Sequence, residues 1–215
     1  MSKSINWLTT GDALERLTRD SISEFARKHT SETFYGFAFE CYPFSGQIIL
    51  CLNTPESLEL AVNGEIRPKA MMNEELRRMF PSILPAYERL FGLDGGKPAP
   101  RSQRADALRW GMPLWKYCDI ANEAHNAGWQ PYSDLLTEAA RPKLDDFPDS
   151  NALIEYQESF KEALLRSVCS VAIRLESTKA FDYLNKTTDF QVCVIDGEEA
   201  SEHDWKRMEN VRSEF

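Results

Sequence analysis

The chain holds only three histidines, His29, His125 and His203, and no two fall within one helical turn of each other. A zinc site needing two or three imidazoles would have to be assembled from distant segments. Glu123 and His125 are two apart, which on a helix points their side chains about 200° apart. Cys118 and His125 form the one Cys-His pair at helical spacing. Two turns put them roughly 10 Å apart, too far for direct proton transfer. Gly92 to Lys97 reads G-L-D-G-G-K, one residue short of a phosphate-binding loop, and Pro98 stands where such a loop needs Ser or Thr. Neither the dinucleotide fingerprint G-x-G-x-x-G nor the nucleophile elbow G-x-S-x-G occurs. The pairs Glu74-Glu75, Asp145-Asp146 and Glu198-Glu199 are adjacent in sequence and read as solvated acids. No cofactor and no metal is expected from these patterns. An enzyme built on this chain would have to gather scattered groups, with Arg109, Asp196, Glu198 and His203 the set available.

Aromatic residues offer a different chemistry. Arg109, Trp110, Trp115, Lys116, Tyr117 and Trp129 bring rings and cations together in one stretch, a composition common where one protein grips another. The competing reading is that the rings complete a core. Charge is unevenly spread. Residues 66 to 116 carry ten bases against five acids, whereas residues 117 to 160 carry two bases against nine acids. The basic block could form a nucleic-acid footprint if gathered on one face, but no zinc-finger, helix-turn-helix or RNA-stacking motif accompanies it. Surface charge balanced by the acidic blocks on either side is the expected outcome, with nucleic acid not a partner.

These residues sit in a chain of 215 with a net charge of −9 and 42% hydrophobic residues. That composition speaks against collagen-like, disordered and membrane classes. The N-terminus lacks a cationic start with an apolar run, and the longest apolar run, Ile48 to Leu52, is far below the roughly 20 residues of a membrane helix. A cytoplasmic protein is expected. The five cysteines lie on segments that read as buried, with no C-x-x-C, and are taken as small hydrophobes in a reducing cell.

Spacing then supplies the elements. Asp12 to His29 has the period of an amphipathic helix capped by Asp12. Residues 33 to 41 and 47 to 53 read as strands joined through Pro43 and Gly46 into an antiparallel hairpin. Asn53-Thr54-Pro55 starts a short helix. Met72 to Phe91 reads as two helices bent at its prolines, Gly92 to Ala105 as an exposed loop, and 107 to 110 as a third strand. Asp119 to Trp129 can be helical, closing at Gly128. Ser150 to Ser177 is the clearest helix, and 189 to 196 the last strand. A final helix from Ser201 turns Trp205, Met208 and Val211 inward. The expected fold is α+β, a mainly antiparallel sheet packed against several helices including one long helix, in a single domain over residues 1–215.

Three islands carry a family resemblance: TFYGFAFECYPFSGQIILCLNTPESLE (33–59), LRWGMPLWKY (108–117) and DFQVCVIDGEE (189–199). They resemble an uncharacterised bacterial family of single-domain proteins, a domain of unknown function with an "F-Y-x-F" strand, a hairpin ending in "N-T-x-E", an "R-W" followed by a second Trp, and a late strand with acids. Pro55 departs from the second motif. The resemblance implies the fold and a bacterial cytosolic setting, and brings no catalytic residue. Function is therefore expected to be that of a non-enzymatic protein-binding module, accessory or immunity-like, with the scattered-residue enzyme as the alternative; oligomeric state cannot be read.

Overall fold

A computed structural model describes residues 5–66, 83–111, 114–197 and 202–214. The expected bend within Met72 to Phe91 lies mostly outside them, as does Glu198. The chain divides into two compact units, Met1–Leu52 with Cys118–Phe215, and Asn53–Tyr117.

The first unit is built on an aromatic strand. Residues Thr33–Tyr42 form β1, and Phe34 through Phe39 are buried without interruption. A strand covered on both faces reads as such a continuous run rather than as alternation. A turn over Pro43–Ser45 leads to β2, Gln47–Asn53. The two strands are sheet neighbours, and so short a link permits only an antiparallel pair. Strand β3 is Tyr117–Cys118 and β4 is Asn185–Asp196, giving the order β3-β2-β1-β4.

The β1–β4 pair is parallel, with Phe37 opposite Val192 and Cys41 opposite Asp196. The sheet is thus mixed, which corrects the expectation of a mainly antiparallel one. The cause lies in what feeds each strand. Helix α1, Trp7–Lys28, precedes β1, and a 28-residue helix, Ser150–Ser177, precedes β4. Both connections are short. Trp7 meets the Phe160 ring at 5.5 Å, Glu15 meets Arg174 at 2.7 Å and Arg19 meets Thr178 at 2.8 Å. Residue numbers rise together along the two helices, so they run parallel, and the strands that follow them run parallel too. Gly36 sits where the β1–β4 register shifts, the usual mark of a bulge.

Helix α1 begins five residues before the expected start. Asn6, not Asp12, caps it by accepting from the Leu8 and Thr9 amides. Gly11 lies inside this helix because a Cβ there would stand 3.3 Å from Ser167 Oγ and 3.7 Å from Val171. The long helix takes its cap from Asp149, whose side chain accepts from the Ala152 amide.

The second unit holds α2 (Pro55–Val62), α3 (Ile83–Phe91) and α4 (Arg101–Arg109). Residues 107 to 110, expected as a strand, are the last residues of α4 and its cap, Trp110. Only Leu108 there is buried, and helix formers fill the rest of the segment. Ala61, Val62, Tyr87, Leu108 and Leu114 make the core. The expected loop 92 to 105 shortens accordingly. Arg104 donates to the Val62 and Ala99 carbonyls at 2.9 and 2.7 Å, and Arg101 pairs with Glu59. Part of the basic block therefore serves its own unit. Asn53 and Lys116, the first and next-to-last residues of the unit, are joined: the buried Asn53 Oδ1 accepts from the Lys116 and Thr54 amides at 3.1 and 2.9 Å.

In the first unit, α5 is Ile120–Glu123 and α6 is Trp129–Ala140. The expected single helix is broken by His125 at φ 52°, and Gly128 opens α6 instead of closing its predecessor. Cys118 on β3 and His125 beyond α5 are therefore not on one helical face. Numbering the long helix α7, the last helix is α8, Glu202–Arg212. Met208 and Val211 are buried, but Trp205 is 37% exposed, against the expectation that it faces the core. A larger side chain at position 11 must separate α1 from α7. Gly11→Leu is expected to lower stability by about 1–3 kcal/mol, read from the midpoint of urea unfolding.

Candidate functional site

Apolar strands end where their side chains meet charge. β4 carries Val192, Cys193 and Val194 into the core and then Asp196, whose side chain has no exposure at all. Beyond it Gly197 passes beneath Tyr42, where a Cβ would lie 2.6 Å from the ring. The Gly197 amide donates to the Cys41 carbonyl at 2.8 Å, continuing the β1–β4 alignment to the carboxyl ends of the two parallel strands.

Two helices bring the countercharges. Lys161, one residue after the buried Phe160 on α7, places Nζ 3.2 Å from Asp196 Oδ2 and 5.5 Å from the centre of the Phe44 ring. From α8, Asp204 Oδ1 accepts from the Asp196 amide at 3.1 Å and from Arg207 Nη1 at 2.9 Å. Burial raises the Asp204 carboxyl above its usual range, opposed by these two donors. An open depression of about 270 Å³ lies over the cluster, lined by Glu158, Ser159, Lys161, Glu162, Leu165 and Arg207. Two acids and two bases thus meet beside the carboxyl ends of β1 and β4, the edge where ligands of α/β sheets commonly bind. The arrangement can hold a small polar group by charge. Among the described residues the neighbouring thiols are kept protonated, with burial pushing Cys41 and Cys193 well up and Cys169 up to about 12.

Glu40, one residue before Cys41 and so on the opposite face of β1, accepts from the Tyr42 hydroxyl at 2.8 Å. Burial raises its carboxyl, outweighing the lowering effect of that hydrogen bond.

Of the residues singled out in the sequence, Asp196 belongs to this cluster and His203 is exposed on α8. His29 is held between Glu32 at 3.0 Å and Glu123 at 2.7 Å while stacking on Phe25. That is a link between segments. Trp129 is buried at 7% exposure against Tyr132, so its ring serves the core of the first unit. Arg109, Trp110, Trp115, Lys116 and Tyr117 lie in the second unit. There Trp115 is buried at 6% exposure, its indole N–H donating to the Arg109 carbonyl at 3.1 Å. Trp110 packs on it at 5.5 Å and is half-buried, as are Arg109 and Tyr117, while Lys116 is exposed with Nζ 5.1 Å from the Tyr117 ring. Among the described residues no group of three or more His, Cys, Asp or Glu could hold a metal ion, and no helix is long and apolar enough to cross a membrane.

Lys161, Asp204 and Arg207 escaped the sequence reading. One signal was available: Lys161 interrupts the apolar stripe of a long helix, a position a lysine takes when a buried acid faces it.

Removing that lysine leaves a carboxylate buried. Lys161→Met is expected to cost about 3–5 kcal/mol, and the double variant with Asp196→Asn to recover most of it, by urea unfolding at neutral pH. Glu40 gives a pH signature. Its native pKa is raised, so the native state holds the proton more tightly than the unfolded chain. The stabilisation is complete below the ordinary value of 4.5 and is lost as pH rises through the native value. Glu40→Gln removes this, so the stability of the wild type relative to the variant should fall across that window.

No curated protein and no solved structure matches the chain. A family model described as Domain of unknown function (DUF4303) matches residues 14–213. With nearly all of its 215 residues so matched, the chain belongs to that family.

Proposed function

We propose that this protein is a non-enzymatic protein-binding module, accessory or immunity-like, that takes its partner on the Arg109–Tyr117 segment. The observation that carries the reading is the half-buried Trp110, seated on the buried Trp115. A ring fixed from below loses little entropy when a partner covers it, and Trp and Arg are the residues most enriched among binding hot spots. Arg109 precedes Trp110 and the exposed Lys116 follows Trp115 in the chain, and cations in such a segment suit a partner surface with an apolar notch rimmed by carboxylates.

Affinity capture from the native host tests this with the wild type against Trp110→Ala and Lys116→Glu, each first checked for unchanged circular dichroism. A protein recovered by the wild type at physiological salt and lost by about tenfold or more with Trp110→Ala, the loss expected on removing a hot-spot ring, supports the reading. Equal recovery by all three chains overturns it. A second reading, an enzyme acting on a small polar substrate, is favoured by the Lys161–Asp196 and Arg207–Asp204 pairs beneath the depression on α7 and α8.

A further inference from the structure

Cys51 and Cys118 face each other across the β2–β3 pair. The Asp119 amide donates to the Leu50 carbonyl at 2.9 Å, and the Lys116 amide reaches the Asn53 side chain at 3.1 Å. Numbers fall along one strand as they rise along the other, so the pair is antiparallel with Cys118 directly opposite Cys51. The Asp119–Leu50 bond flanks this position, which makes it a non-hydrogen-bonded pair. Such pairs hold Cα atoms about 4.5 Å apart, within the ~4.4–6.8 Å that a disulfide spans. The Cys51 thiol hydrogen-bonds to Cys118, and that bond, ahead of burial, holds its proton on.

The two differ in access. Cys51 is buried, whereas Cys118 is exposed on its two-residue strand; this corrects the expectation that all five cysteines are inert core residues. The other three, Cys41, Cys169 and Cys193, are buried. An exposed cysteine hydrogen-bonded to a buried one is the arrangement of an attacking and a resolving cysteine.

We propose that Cys51 and Cys118 are a redox modification site that a hydroperoxide converts to an intramolecular disulfide. The Cys118 thiolate attacks one oxygen of hydrogen peroxide; the O–O bond breaks, an S–O bond forms, and the departing hydroxide takes up a proton as water. Cys51 then attacks the Cys118 sulfur, giving its proton to the leaving hydroxide. The S–O bond breaks, the S–S bond forms and a second water leaves. Two thiols are oxidised by two electrons, and one peroxide is reduced to two waters. The link closes a loop that contains the whole of Asn53–Tyr117, so it constrains the unfolded chain and should raise resistance to unfolding until a reductant opens it.

The test treats the full chain with a small excess of hydrogen peroxide, blocks remaining thiols and digests without reductant. The expected result is a peptide joining Cys51 to Cys118, a loss of two hydrogens from the intact monomer at any protein concentration, and a urea midpoint that rises and returns with dithiothreitol. Cys51→Ser should instead leave Cys118 as a sulfenic acid trapped by dimedone, and Cys118→Ser should leave Cys51 unreacted. Should Cys51→Ser fail to fold, wild type and Cys118→Ser decide alone. Oxidation of Cys118 to a sulfinic acid with Cys51 still a thiol, a disulfide between two chains, or equal oxidation of Cys51 in Cys118→Ser overturns the proposal.

Discussion

Strand β1 is buried on both faces, so none of its backbone amides and carbonyls in that stretch can turn to water, and each needs a partner inside the protein. β2 on one side and β4 on the other supply the ladder. This requirement organises the first unit. The strand from residues 33 to 42 pairs with the one from residues 185 to 196, and both arrive in the same sense because each follows a helix of matching direction. Packing α1 along α7, with the Glu15–Arg174 pair at 2.7 Å and Gly11 against Ser167 and Val171, sets those directions. The helices thus fix the strand polarity through rigid short connections.

Periodicity made much of this legible. Ser150–Ser177 was bounded by its three-four spacing, and the aromatic run of β1 by its length and composition. Strand direction was not, because spacing reports which positions are buried and says nothing of the sense in which two distant strands meet. Residues 107 to 110 are ambiguous for a related reason: four residues are too short for a period, and Leu108 as the only buried position among them satisfies helix and strand alike. The cap of α1 is not legible because Asp12, just after Gly11, is itself a good capping residue. The reason for Gly11 is the approach of another helix, visible only in three dimensions.

The charged cluster shows the same limit at a site. Asp196 ends an apolar strand and was available to any reading, but Lys161, Asp204 and Arg207 lie on two other elements. Their meeting depends on α7 crossing the sheet and α8 folding back on β4. A buried ion pair is weak support for stability, since desolvation consumes much of the Coulomb gain. Its presence at the carboxyl ends of parallel strands distinguishes that edge chemically from the rest of an apolar interior.

The bond from the Lys116 amide to the Asn53 carboxamide has a consequence for how the chain can vary. It pins the two stems of a 65-residue excursion, Asn53–Tyr117, side by side. Because closing a longer loop adds only about 0.6 kcal/mol per doubling of length, lineages can lengthen, trim or re-sculpt that excursion at little thermodynamic expense. With its stems joined, the stretch between them is free to diverge without loosening its own closure.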